Sequence, residues 1–340
     1  MALHAVVLAG GSGTRFWPLS TGRRPKHLLA LLGRRTLLEE AAARLRGLVP
    51  PSRTTVVTAR EQAAAVRRLL PALAVLAEPV PRNTAAAVTL AAARILRIDP
   101  DATLVVVSAD HWIPDGPAFR RTMRAAARRA AAAGTLVLVG IRPDRPATGY
   151  GYLRPGRRTA PGVKAVARFT EKPGPATARR WLRAGSHLWN AGLFAWRADA
   201  FLREAGEHLP AHVRALSGGR TAGYRGLPSV SLDYGILEKS SRVEVVEAAF
   251  RWDDLGSFAA LHRRLPKDGA GNAARGRLVA GDARGNLSFA PDGHVTALLG
   301  VEGLAVVTVA GATLVVPLDR CEEVRGLADA AAEPGPPRSR

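Results

Sequence analysis

His4-Ala-Val-Val-Leu-Ala9 runs directly into Gly10-Gly11-Ser12-Gly13-Thr14-Arg15-Phe16-Trp17-Pro18-Leu19. An apolar run of this length reads as a first strand, and the glycines after it form a place for phosphate. Without a Cβ, their backbone N–H groups can close on an anion and the chain can turn sharply. Arg15 adds a planar guanidinium that grips phosphate oxygens in two places. Neither common phosphate loop fits. No Gly-Lys-Ser/Thr occurs, so this is not a Walker loop. Gly11-Ser-Gly13-Thr-Arg-Phe16 has a phenylalanine where a dinucleotide fingerprint needs its third glycine. Pro18 opposes an immediate long helix, so the loop extends, and Pro25-Lys26 can bring a second cation back to it. The bland alternative is an ordinary strand-to-helix turn.

Working outward, apolar runs alternate with alanine-rich stretches through residue 140. Strands are expected at 4–9, 54–58, 74–77, 103–108 and 135–140, with helices at 36–47, 61–70, 84–97 and 118–133. That alternation predicts a parallel sheet covered on both faces, with ligands at the strands' carboxyl ends. Gly10–Arg15 and Asp110 each follow a strand and should share that edge. Further strands are expected at 163–170, 191–196 and 243–247. From 276, short apolar runs (277–280, 286–289, 295–299, 304–309, 313–316) are broken by Gly, Asp and Asn every 8–10 residues, predicting a small all-β unit. The fold class is therefore α/β, with a Rossmann-like mixed, mostly parallel sheet flanked by helices and a small C-terminal all-β unit. The expected division is a catalytic domain over 1–270, a β domain over 276–328 and a disordered tail over 330–340.

Composition narrows the classes. The 340 residues carry a formal charge of +21, with 49 basic residues. The arginines are spread along the chain without a basic block interleaved with aromatics, so no nucleic-acid partner is expected. No run of 18 apolar residues occurs, so no membrane span is expected, and no signal peptide is visible. The default location is cytoplasmic. The single cysteine, Cys321, excludes an internal disulfide and is expected to be a small buried apolar residue. Only five residues are lysine: Lys26, Lys164, Lys172, Lys239 and Lys267. A lysine kept in an arginine-rich chain can place a compact charge where arginine does not fit.

Several residues carry candidate chemistry. Asp110, after Leu104-Val-Val-Val107, is either a turn aspartate or a Mg2+ ligand, since Mg2+ takes one or two carboxylates plus phosphate oxygens. Trp252-Asp253-Asp254-Leu255-Gly256 offers a second carboxylate or a solvated turn. Phe169-Thr-Glu171-Lys172-Pro173 sets a carboxylate, which accepts hydrogen bonds, beside an ammonium, which can neutralise an anion; the bland alternative is an exposed pair of little worth. Trp189-Asn190-Ala-Gly192 places an amide beside a glycine that permits close approach. His208 and His212 are four apart, but Pro210 lies between them and no acid stands at a catalytic position, so a surface turn is expected.

Leu8-Ala-Gly-Gly-Ser-Gly-Thr-Arg15, then Pro18-Leu19, then Pro25-Lys26 resembles the signature of sugar-nucleotide pyrophosphorylases. The ordered series Gly-Tyr-Gly, Glu-Lys-Pro, Asn-x-Gly-x-Phe, Asp233 and Trp-x-Asp resembles the sugar side of that family. Glu78-Pro-Val-Pro-Arg82-Asn83-Thr84-Ala85 and Ala109-Asp110-His111 resemble the mannose-1-phosphate guanylyltransferases within it. The resemblance implies a nucleotidyltransferase of the GT-A-like fold that joins GTP to mannose 1-phosphate, giving GDP-mannose and pyrophosphate with Mg2+. It implies nucleotide contacts from Leu8, Ala9, Gly10, Gly11, Gly13, Thr14, Arg15 and Lys26, with Glu78, Arg82, Asn83 and Thr84 on base and ribose. Asp110 and Asp254 become the metal ligands, Asp254 rather than Asp253, and Arg15 and Lys26 the groups on the leaving pyrophosphate. Gly149, Tyr150, Gly151, Glu171, Lys172, Asn190, Gly192 and Asp233 become the sugar-phosphate group. The alternatives are a pyrophosphorylase for another sugar or base, and a regulatory subunit that binds nucleotide sugars without turnover. The chain is expected to lack the phosphomannose isomerase domain of longer relatives, and the β unit offers an interface for a homodimer.

Overall fold

The computed structural model describes residues 2–11, 13–22 and 24–332. The chain forms two compact units. Among the described residues, the first comprises those from 2 to 10, Glu39–Ala109 and Ile113–Trp252, and the second those of Gly11–Leu38, Asp110–Trp112 and 253–332.

In the first unit the nine strands are β1 (Ala2–Ala9), β2 (Thr54–Ala59), β3 (Ala74–Glu78), β4 (Ala102–Ser108), β5 (Leu136–Ile141), β6 (Gly151–Ala160), β7 (Val163–Glu171), β8 (Leu188–Arg197) and β9 (Val243–Glu247). They make one sheet in the order β3-β2-β1-β4-β8-β5-β9-β7-β6. The half β3-β2-β1-β4 is parallel throughout, as the alternation with helices predicts. β8 runs antiparallel to both β4 and β5, which makes the sheet mixed. Helices Asn83–Leu96 and Gly116–Ala133 cross between strands. The latter is capped at its start by the Asp115 carboxylate, which accepts from the Ala118 N–H at 2.9 Å. Arg129 on this helix makes a bidentate pair with buried Glu244 of β9, both bonds at 2.7 Å. Val6, Leu104, Val106, Leu138, Phe194 and Trp196 lie in the main core.

β1 and β4 are neighbours with Leu8 opposite Ser108, and the Ala109 N–H donates to the Leu8 carbonyl at 2.9 Å. The glycine loop and the segment bearing Asp110 therefore leave adjacent strands at the same, carboxyl edge.

In the second unit, β10 (Ala273–Arg275), β12 (Leu287–Phe289) and β14 (Leu304–Val309) pair in parallel, and β15 (Ala312–Pro317) returns antiparallel to β14. β11 (Arg277–Gly281) pairs in parallel with β13 (Val295–Leu299). The all-β stretch is thus a coil of successive parallel rungs. Its inner corner is held by two buried asparagines. Asn286 Nδ2 donates to Asn272 Oδ1 at 3.0 Å and to the Val301 carbonyl at 3.1 Å, and its Oδ1 accepts from the Leu304 N–H at 2.9 Å. Leu287, Ala305, Val307 and Leu314 share one core with Phe16, Leu29, Leu255 and Phe258. The loop after β1 and the rungs are packed as a single hydrophobic body.

Cys321 is 1% exposed, and burial pushes its thiol up to about 11, so it is an inert core residue. His212, expected on a surface turn, is instead 1% exposed within the helix Pro210–Ala215. The expected tail begins at Ala330, but Ala330–Ala332 close the helix Val324–Ala332. Residues 333–340 lie outside the described residues, as does Ser12. No described helix is long and apolar enough to cross a membrane.

Asn286→Ala removes the acceptor of the Leu304 N–H, one of the two donors to the Val301 carbonyl and the bond to Asn272, all within the coil. The expected loss is about 2–3 kcal/mol of unfolding free energy, measured by denaturant titration. An unchanged midpoint would remove the asparagine pair from the account of this coil.

Candidate active site

In the second unit the loop after β1 makes a single helical turn at Thr14–Phe16. Gly13 enters it with φ +65°, and a Cβ there would lie 2.9 Å from the Lys26 backbone nitrogen and run into its Cβ. No other residue type meets both demands. The Phe16 N–H closes the turn on the Gly13 carbonyl at 2.9 Å. The Trp17–Pro18 peptide is cis. The close approach at Gly13 sets Lys26 against the glycine loop.

Lys26 is 7% exposed. Its Nζ donates to Asp110 Oδ2 at 2.7 Å and to the Asp254 carbonyl at 2.6 Å. One ammonium therefore gathers three segments far apart in the chain. Burial pushes the Asp110 carboxyl up, but the charges of Lys26 and of neighbouring His111 and the Lys26 hydrogen bond outweigh it, holding Asp110 at about 2. It is ionised, and 36% of its side chain remains exposed. His111 Nε2 lies 3.9 Å from Asp110 Oδ1.

Asp253 and Asp254 have different jobs. Asp253 is fully buried and accepts from Arg264 Nε at 3.0 Å and Nη2 at 2.8 Å. Its backbone bridges reciprocally to Trp112 at 2.8 and 3.1 Å, so it anchors the Asp110–Trp112 segment. Asp254 Oδ1 accepts from the Gly256 N–H at 3.0 Å. The Cβ position of Gly256 lies 3.0 Å from Asp254 Oδ2 and 3.3 Å from Arg15 Nη1. Arg15, Lys26, Asp110 and Asp254 thus converge within this unit.

The first unit holds two further groups. Strand register assembles one of them. Gly151 stands opposite Glu171 and Tyr152 opposite Trp189. A Cβ on Gly151 would come within 2.5 Å of Glu171 Oε2. Glu171 Oε1 lies 3.2 Å from Lys172 Nζ. Asn190 Nδ2 donates to Asp233 Oδ1 at 2.8 Å, and the Gly192 N–H donates to Asn190 Oδ1 at 3.2 Å. Burial, then the Glu171 charge, push the Asp233 carboxyl up to about 6. Tyr150 packs edge-on against Trp189 and Trp252, with centroids 5.0 and 5.2 Å apart. Arg145, which no motif marks, donates to the Tyr150 hydroxyl at 3.0 Å and lies over the Trp189 ring at 4.9 Å.

The other group sits at the ends of β3 and the helix Asn83–Leu96. Glu78 is buried and accepts a short hydrogen bond from the Tyr224 hydroxyl at Oε1. Burial raises its pKa. Gly10 faces it: a Cβ there would lie 3.2 Å from Glu78 Oε2. Arg82 donates to the Arg225 carbonyl. Asn83 has φ +64° and its Oδ1 accepts from the Thr84 N–H at 2.8 Å. The Thr84 hydroxyl accepts from the Leu232 N–H at 2.8 Å, so it also ties down the segment leading to Asp233. Tyr224 lies in an irregular stretch with no motif, and only its tertiary contact reveals it.

The Asp233 environment has a measurable consequence. Its folded pKa of about 6 exceeds the ordinary 3.8. Its contribution to stability is complete below about pH 4 and is lost as pH rises through about 6. Asp233→Asn should raise the thermal midpoint by a few degrees at pH 7–8, and the advantage should vanish toward pH 4. A gap constant with pH in calorimetric scans would refute this environment.

Residues 4–270 match the model of the nucleotidyl transferase family. The xanthan biosynthesis protein XanB of Xanthomonas campestris pv. campestris strain B100 is 38% identical over 339 residues, covering 94% of this chain and 71% of that protein. A mannose-1-phosphate guanylyltransferase of Escherichia coli is 34% identical over 343 residues, covering 95% and 72%. A crystal structure from Thermus thermophilus, described as a mannose-1-phosphate geranyltransferase, superposes with a TM-score of 0.92 at 40% identity, covering 98% of this chain and all of that one. With its fold and its matched span in agreement, the chain belongs to the nucleotidyl transferase family.

Proposed function

We propose that this protein transfers GMP from GTP to mannose 1-phosphate, giving GDP-mannose and pyrophosphate. The observation that carries the reading is the Lys26 ammonium joined to Asp110 and the Asp254 backbone beside Arg15. Relatives named mannose-1-phosphate guanylyltransferase supply the choice of sugar and base.

A phosphate oxygen of mannose 1-phosphate attacks the α-phosphorus of GTP. The bond from that phosphorus to the bridging oxygen of the β-phosphate breaks, and the electron pair leaves on pyrophosphate. The attacking phosphate is already ionised at neutral pH, so no general base is required. The work left to the protein is to position two polyanions and offset their repulsion. Arg15 and Lys26 hold the departing pyrophosphate charge. The backbone of Leu8, Ala9, Gly10, Gly11, Gly13 and Thr14 cradles the triphosphate. Glu78 serves the base, since a carboxylate accepts from the N1 and N2 hydrogens of guanine, and Arg82, Asn83 and Thr84 serve base and ribose. Glu171, Asn190 and Asp233 accept from or donate to the sugar hydroxyls, and Lys172 meets the sugar phosphate. Gly149, Tyr150, Gly151 and Gly192 shape the floor beneath the sugar.

Asp110 and Asp254 fit a divalent cation, and Mg2+ is the proposed one. Both offer hard carboxylate oxygens, and Asp110 is held ionised far below neutral pH. Asp110 and Asp254 would hold it, and when bound it would supply neutralisation of phosphate charge. The protein is proposed to act in the cytoplasm, without a nucleic-acid partner, as a homodimer.

The test is coupled pyrophosphate release across a panel of nucleoside triphosphates and sugar 1-phosphates, with and without Mg2+. GTP with mannose 1-phosphate should give the highest kcat/KM, and turnover should require Mg2+. Lys26→Ala should lower kcat on the order of a hundredfold or more with a smaller change in KM. Asp254→Ala with normal Mg2+-dependent turnover would overturn the metal assignment.

A further inference from the structure

The first unit contains a cavity of about 670 Å³ that shares no residue with the groups described above. Its floor is apolar: Val163, Leu188 and Val245 are each buried. Its rim is cationic, formed by Arg142, Arg154, Arg158 and Lys164. A single carboxylate faces it, Glu247, which is matched to Arg142 at 2.7 Å. Among the described residues, Arg154, Arg158 and Lys164 have no carboxylate partner.

The rim is also placed against its own electrostatics. In the β6–β7 register, Arg158 stands opposite Lys164 and Arg154 opposite Arg168. Like charges directly opposite across a strand pair repel. Two such pairs on one hairpin, with no acid between them, hold a concentrated positive field over an apolar floor. His187 forms part of the wall. Its ring stacks on Trp181 with centroids 4.1 Å apart, and burial together with the Arg154 and Arg180 charges lowers its pKa.

An apolar base of this size with a few convergent polar groups is the usual form of a small-molecule site. Here every unmatched polar group on the rim asks for an anion. Guanidinium groups suit phosphate in particular, because each can offer two parallel N–H donors. We propose that this cavity is a second ligand site that binds a phosphorylated organic molecule, its phosphate between Arg154, Arg158 and Lys164 and its organic part on the Val163–Leu188–Val245 floor. Nucleotides and sugar phosphates share this chemistry. The bound phosphate would also relieve the repulsion along the hairpin.

The test uses the whole protein and the double variant Arg154→Ala/Arg158→Ala, titrated calorimetrically with GDP, mannose 1-phosphate and pyrophosphate. In a parallel pair, Arg15→Ala/Lys26→Ala is present in both proteins, so that binding at the candidate active site is weakened equally. GDP or mannose 1-phosphate should bind the protein with the cavity intact, and affinity should fall by about tenfold or more when the two arginines are removed. Whichever of the two binds tighter identifies the ligand class as nucleotide or sugar phosphate. The His187 imidazole should titrate at higher pH with the ligand bound, followed by its NMR resonances. Without ligand, Arg154→Ala/Arg158→Ala should melt no lower than the parent, since it removes repelling pairs. Turnover of GTP and mannose 1-phosphate at saturation should be unchanged. Equal affinities with and without the two arginines would overturn the site. Pyrophosphate binding as tightly as either organic phosphate would overturn the role of the apolar floor.

Discussion

The buried ammonium of Lys26 is the interaction on which the second unit depends. A positive charge so far out of water is tolerated only when it is paired and hydrogen-bonded. Its two partners, the Asp110 carboxylate and the Asp254 carbonyl, come from segments 84 and 228 residues away. Forming these bonds fixes where the chain after β4 and the chain after β9 must pass. The glycine at position 13 is part of the same constraint, since any side chain there would displace the Lys26 backbone. Asp253 completes it from behind by locking the Asp110–Trp112 segment through its backbone and holding Arg264 in its carboxylate.

The first unit achieves convergence by a different route. There the strand register does the gathering. Placing Gly151 against Glu171 and Tyr152 against Trp189 lines up three motifs scattered over about 40 residues of sequence. The Thr84 hydroxyl then ties the helix Asn83–Leu96 to Leu232, one residue before Asp233. The cost of the arrangement is electrostatic: Asp233 sits among groups that disfavour its charge, and Lys172 and Asn190 offset this in part.

Much of this was legible in the sequence, for identifiable reasons. β1, β2, β4 and β9 stand within a residue or two of their expected limits because short runs of Val, Leu and Ala between helices have few other uses. The tight turn after β1 was legible because Gly13 admits a left-handed backbone and Pro18 opposes an immediate long helix. The parallel direction of the C-terminal rungs was not, since apolar spacing is the same in a meander and in a coil. The role of Asn272 and Asn286 inside that coil was equally hidden, because asparagine in a turn-rich stretch reads as a turn residue. His212 reads as surface from its neighbouring proline, yet tertiary packing buries it. Arg145 and Tyr224 belong to no local pattern. Their significance lies in the aromatic ring or carboxylate they meet across the fold.

Phe16 lies in the same apolar body as Leu287 and Val307. A defect introduced deep among the terminal rungs is therefore felt by the turn that presents Arg15. Screens for loss of turnover would recover mutations there that touch no substrate, and such positions would be misread as catalytic if judged by phenotype alone. Conversely, stiffening that interior offers a way to steady the loop after β1 without altering any group proposed to contact a reactant.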